Sequence, residues 1–153
     1  LKYTKMIIKT TKKLNLSSSE VWNVLGEGFG NVIWIKGVKS CKFEGDLKIG
    51  NARVVEMKGM GTVTERLELF NPQTHTIRYS VEGGLPIIKN ASNHWTIEKI
   101  DDQNCIITCQ SYLKVKTFAI FLAPLMRFLM ANTVKSLIGL LETEVIRIRK
   151  TQK

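Results

Sequence analysis

The sequence predicts an α+β fold: a seven-stranded, curved antiparallel sheet around one long C-terminal helix, with two short helices after the first strand. Three observations carry this. Seven segments alternate apolar and polar residues with the period of a strand. One segment near the C-terminus repeats its apolar residues by steps of three and four. No internal repeat, low-complexity linker or composition break divides the 153 residues, so residues 1–153 read as one domain. That length is enough to bury about 68–70% of the unfolded surface.

The elements follow in order. Residues 3–14 place Lys5, Lys9 and Lys13 on one side and Met6, Ile8 and Leu14 on the other, the pattern of a half-solvated strand. "SSSEVWNVL" supplies an N-cap serine, an acid in the first turn and an apolar stripe at Val21, Trp22 and Leu25. "FGNVIWI" is expected to form the second short helix, set off by glycines at 26, 28 and 30. Strands are then expected near 38–44, 52–58, 62–70, 75–82, 88–100 and 105–116. They are separated by "DLKIGN", "KGMG", "NPQT", "EGGLP" and "DDQN". The long helix carries Pro124 near its start, where a missing N–H costs nothing. Its stripe runs from Leu122 through Leu129, Met130, Thr133 and Leu137 to Ile148.

Charge and cysteine content narrow the function. The net charge of +10 points first to nucleic acid or anionic lipid. Nine of the cations, however, lie in residues 1–13 and 147–153, which hold no acid, and residues 14–146 carry a net charge of only +1. No nucleic-acid motif or aromatic-basic stripe accompanies them, so specific nucleic-acid binding is not expected. At most, the basic termini give weak, salt-sensitive contact with a membrane surface. The three cysteines form no CxxC pair, and with two histidines no zinc spacing arises. Cys105 and Cys109 on one strand lie about 13 Å apart, too far for a disulfide. A reduced, cytoplasmic setting is the expectation, with no secretory signal and no metal or other cofactor. The most apolar run, 118–130, is shorter than the ~20 residues a membrane span needs and contains Arg127.

The strand "GVKSCKFEG" raises a question. Alternation puts Lys39 on one face with Cys41 and Phe43, the face expected to be buried. An unpaired ammonium away from water is costly. Three outcomes remain open: Lys39 meets a ligand, pairs internally with Glu65, or escapes to solvent at the strand end.

Two stretches then carry a resemblance. "SSSEVWNVLGEGFGNVIWIKGVKSCKFEGDLKIGNARVV" and "TVTERLELFNPQTHTIRYSV" resemble the START-like (SRPBCC) superfamily. Its members share the helix-grip fold of the birch pollen allergen, the polyketide cyclase/dehydrase-like proteins and the plant abscisic acid receptors. The resemblance runs from about residue 4 to 149 and rests on order and spacing more than on any single motif. In the receptors an "IKSC"-like strand gives the lysine that pairs with the ligand carboxylate, which implies Lys39 in "VKSC". Their "TERLD" glutamate implies Glu65, and their "ESY" strand implies Gln110 in "QSY". Their gate loop is matched only by the shorter "KGMG", and Pro86, Ile87 and Ile88 replace their latch. A helix asparagine of theirs falls at Ile138. Hormone sensing by gate and latch is therefore not expected.

Parity and resemblance together give an inward set that includes Lys39, Phe43, Arg53, Glu65, Leu67, Tyr79, Asn93 and Trp95. For the last strand hydrophobicity favours Cys109, Ser111 and Leu113 inward, whereas the resemblance points Gln110 and Tyr112 inward; the expectation follows the resemblance. From the helix, Leu129, Met130, Thr133 and Leu137 are expected to complete an apolar cavity. A mostly apolar lining with a few polar groups is the composition of a binding pocket. No Ser–His–Asp or Cys–His arrangement can be placed, His75 and His94 are expected at the surface, and "GEGFG" lacks the strand-first setting of a phosphate loop. The expected function is binding or transport of a small hydrophobic or lipid-like ligand with an acidic or polar end. The alternative is a cyclase/dehydrase-like enzyme using Glu65 and Lys39 as acid and base.

Overall fold

The computed structural model describes residues 2–153 and has the predicted architecture. Strands β1 (Tyr3–Leu14), β2 (Val38–Phe43), β3 (Ala52–Met57), β4 (Gly61–Asn71), β5 (Thr76–Glu82), β6 (Ile88–Asp101) and β7 (Asn104–Lys116) form one sheet. Its order is β1-β7-β6-β5-β4-β3-β2, so β2 to β7 run as a meander and β1 closes onto β7. All neighbours are antiparallel. Helix α1 (Ser18–Trp22) follows β1, and a short 3-10 turn (Thr117–Leu122) leads from β7 into α2 (Ala123–Thr151).

Local chemistry sets these boundaries. Ser17 caps α1 by accepting from the Glu20 N–H at 3.2 Å. The second short helix expected over "FGNVIWI" does not form. Instead α1 continues into a single π-helical turn (Asn23–Glu27), and residues 28–37 run as turns. Gly26 allows that turn to close, since a Cβ there would sit 2.5 Å from the Trp22 ring. Bulky Val32, Ile33 and Ile35 then pack or turn outward singly rather than along a helical face.

Helix α2 has two unlike halves. Its C-terminal half buries Val134, Ile138, Leu141 and Val145 against Leu14, Trp22, Phe29, Trp95 and Ile107, the main core. At about 1.5–3 kcal/mol per fully buried aliphatic side chain, this half anchors the helix. Lys12–Glu142 and Arg149–Glu20 ion pairs tie it to β1 and α1. Its N-terminal half has no fully buried residue: Met126, Met130 and Ala131 pack partly against Met6, Ile8 and Leu113, while Leu125, Phe128 and Leu129 are exposed. By length and composition Thr117–Thr151 would pass for a membrane span, with 11% of its most apolar window buried. The buried half nonetheless belongs to the domain core.

Candidate functional site

The antiparallel register lays concave-face residues out in rows. One row runs Phe43, Arg53, Glu65, Val81, Ala91 and Leu113, and a second runs Leu67, Tyr79, Asn93 and Ser111. A third pairs Ile77, Trp95 and Cys109. The side chains at the centre of these rows make the candidate site.

Arg53 and Glu65 are directly opposite on β3 and β4, with side chains only 7% and 15% exposed. Both Nε (2.8 Å) and a terminal guanidinium nitrogen donate to Glu65 Oε2. The remaining fork donates to the Phe29 carbonyl at 2.9 Å. The guanidinium carbon lies 4.0 Å from the Phe29 ring centroid and 4.9 Å from that of Tyr79, a cation held between two aromatic faces. Burial is the largest influence and opposes the Arg53 charge, but the surrounding interactions, led by the Glu65 carboxylate, together hold the guanidinium above its ordinary value. Tyr79 accepts from Trp95 Nε1 at 3.1 Å, and burial pushes its phenol well above the usual range, with Glu65 adding to the shift. Beside them Ser111 donates to Asn93 Oδ1 at 2.7 Å. Burial raises the Cys109 thiol to about 12, so it stays a neutral thiol.

Three expectations fail. Lys39 does not enter the concave face. A β-bulge between Val38 and Ser40 inserts one residue into β2, so Val38, Cys41 and Phe43 turn inward and Lys39 turns out. Its side chain is 58% exposed, with Nζ 3.9 Å from Glu56 on the outer side of β3. Gln110 and Tyr112 are also outward: the pairs Trp95–Cys109 and Asn93–Ser111 fix the parity of β7, and the Tyr112 hydroxyl donates to Gln110 at 2.7 Å on the outer face. Of the helix residues, Met130 and Leu137 are half-buried against core clusters, whereas Leu129 and Thr133 are exposed.

Phe43, Arg53, Glu65, Leu67, Tyr79, Asn93 and Trp95 do share the concave face. Sequence reasoning missed Phe29, whose ring and carbonyl both hold Arg53, and passed over Ser111, whose alternation with Cys109 and Leu113 was the available signal. Among the described residues no three His, Cys, Asp or Glu side chains gather as metal ligands would. Two open depressions accompany the site. One, of about 470 Å³, lies under the β5–β6 connection against Val81, Leu85, Pro86 and Ala91. The other, of about 350 Å³, lies against Ile7, Ser80, Ser92 and Tyr112 and so opens on the outer face. Neither is lined by Leu129, Met130, Thr133 or Leu137, so neither is the apolar cavity expected between the helix and the concave sheet; there Leu67, Tyr79 and Trp95 pack in one core cluster with Val134 and Ile138.

A curved sheet gripping a long helix, with a polar cluster set in an apolar concave face, defines a START-like (SRPBCC) helix-grip domain. The chain belongs to the polyketide cyclase / dehydrase and lipid transport family, whose model matches residues 6–144. Solved structures share the fold. A norcoclaurine synthase point mutant from Thalictrum flavum, in complex with a transition-state analogue, has a TM-score of 0.79 at 15% identity, over 97% of this chain and 99% of that one. Ara h 8.0201 matches with a TM-score of 0.77 at 14% identity, over 94% and 99%. The Zhui aromatase/cyclase from Streptomyces sp. R1128 matches with 0.74 at 16%, over 94% and 95%. Norcoclaurine synthase also occurs in complex with dopamine and hydroxybenzaldehyde. Family and fold together support hydrophobic-ligand binding or a cyclase role.

Proposed function

We propose that this domain binds a small hydrophobic molecule between the concave sheet and the N-terminal half of α2. The observation that carries the reading is the contrast within α2. From Val134 onward the helix buries the stripe of Val134, Ile138, Leu141 and Val145; before it, Met126 and Met130 on the flank of that stripe are only half-buried, and Leu125 and Leu129, on the opposite side of the helix from Val134 and Ile138, are exposed. A ligand lying on Leu129, Met130, Thr133 and Leu137 would complete that burial. On the concave sheet Phe43, Glu65 and Asn93 are partly exposed and would meet the ligand first, while Leu67, Trp95, Arg53 and Tyr79 lie buried behind them and would have to part to admit it. The depression against Val81 and Ala91 is continuous with the first concave row and serves as the route in.

The ligand's polar end is neutral or only weakly acidic in this account, because Arg53, the one buried cation among the described residues, already has Glu65. Binding is favoured over catalysis on the same ground. Glu65 is committed to the Arg53 ion pair, its Oε2 accepting two guanidinium N–H groups, and the Tyr79 proton is held tightly. The cyclase reading keeps support from the family and from the synthase and cyclase neighbours.

Titration with the neutral fluorophore N-phenyl-1-naphthylamine tests the proposal. Saturable one-to-one binding is expected, weakened about 10- to 150-fold by Leu129→Glu, the equivalent of removing one buried leucine contact. Leu129 is exposed, so the variant should fold. Non-saturating binding, or equal binding by the variant, would overturn the proposal.

A further inference from the structure

We infer that one end of the sheet is a docking face for an anionic lipid surface. The topology gathers it. The β3–β4 connection (58–60), the β5–β6 connection (83–87) and the 3-10 turn after β7 all emerge at the same end of the antiparallel sheet. Backbone bonds bring two further segments there: the Thr117 N–H donates to Lys2 O at 2.9 Å, and the Lys58 N–H donates to Gly37 O at 2.8 Å.

Each of the three connections presents a large apolar side chain to solvent. Met60 and Leu85 sit at two tips, and Phe118 and Phe121 on the third are 64% and 74% exposed. Isolated exposed apolar residues are ordinary, but four on adjacent loops of one end, two of them phenylalanines, form a patch of the kind that marks an interaction surface. Lys2, Lys36, Lys58, Lys89, Lys114 and Lys116 surround them and take part in no ion pair among the described residues. Lys89 and Lys114 converge on Tyr3, with Nζ atoms 4.5 and 5.6 Å from its ring centroid. The two acids nearest this end are engaged, Glu56 with Lys39 and Glu82 with Arg66. At the opposite end Glu44, Asp46, Asp101 and Asp102 lie in or beside the β2–β3 and β6–β7 connections, with Lys48 paired to Asp46 and Lys99 to Asp102.

The tip is thus apolar and ringed by cations unpaired among the described residues, whereas the opposite end mixes acids with Lys13, Lys48, Lys99 and the C-terminal cations. Such a tip is complementary to a lipid interface, where phenylalanine and methionine reach below the headgroups and lysines meet their phosphates. An acidic protein partner or nucleic acid would meet the cations but gain little from the four apolar side chains. The C-terminal cations play no part, because α2 carries them about 44 Å from this end. This proposal departs from the basic-termini expectation in one respect: Lys2 contributes and residues 147–153 do not.

Flotation with vesicles of phosphatidylserine and phosphatidylcholine, against vesicles of phosphatidylcholine alone, tests the inference. The protein should bind the anionic vesicles selectively at low salt. Lys58→Gln with Lys89→Gln should weaken this about 30-fold, at about fivefold per lysine. Phe118→Ser with Phe121→Ser should weaken it about tenfold or more. Deleting residues 150–153 should change nothing, and Phe121→Trp should show blue-shifted emission when vesicles are added. Absence of anionic-vesicle binding, binding indifferent to the phenylalanine changes, or a stable dimer that buries Phe118 and Phe121 would each overturn the inference. Leu129→Glu should still bind vesicles, which keeps this result separate from that of the interior site.

Discussion

Arg53 and Lys39 show how differently two cations on neighbouring strands are used. Arg53 is buried with three partners in place, so removing it leaves Glu65 as an uncompensated charge. Arg53→Met should destabilise the fold by about 3–5 kcal/mol, and adding Glu65→Leu should recover much of that, by urea denaturation. Lys39→Met should shift stability by no more than about 0.5 kcal/mol and leave ligand binding unchanged, because its contact with Glu56 is exposed. An effect of Lys39→Met on binding would restore the ligand role that "VKSC" implies. The buried thiols give a pH signature. Burial raises Cys105 to about 11 and Cys109 to about 12, against an ordinary value of 9.0. The unfolded chain therefore loses these protons first. Their contribution to stability is whole below pH about 9 and is lost as pH rises from there through about 11 to 12. Urea midpoints should fall over that window, and Cys105→Ala with Cys109→Ala should flatten the fall.

At the scale of elements, all seven strands and the long helix were legible because alternation and the 3.6-residue period are direct imprints of which face is buried. What escaped was local irregularity. Nothing in "VKSC" announces the bulge before Ser40, since a bulge is set by the pairing of β2 with β3 and not by β2 alone. The facing of β7 was legible from Cys109, Ser111 and Leu113; the resemblance overrode it by one residue, which flips every side chain of a strand. The expected helix at 29–35 failed for want of an N-cap and a continuous apolar face. Helix α2 then yields a contrast no periodicity could show. Ile138→Ala should cost about 2–5 kcal/mol and Leu129→Ala close to nothing in the ligand-free protein, by thermal or urea unfolding. Equal costs would mean the two halves pack alike.

The whole molecule combines a core at one end of α2 with an uncovered apolar face at the other. The core half fixes helix against sheet through Trp22, Trp95 and Ile138, while the open half holds Met126 and Met130 beside the concave rows. Methionine methyl groups make this division observable, because the five methionines sample distinct places. Met6 is buried, Met57 sits at the end of β3, Met60 is on a loop tip, and Met126 and Met130 lie on the open half of α2. The most direct test of interior binding is a ¹³C-methyl methionine NMR titration with the neutral ligand N-phenyl-1-naphthylamine. Saturable shifts at Met130 and Met126, with Met60 unmoved, are the predicted result. Shifts confined to Met60, or none at Met130, would contradict it.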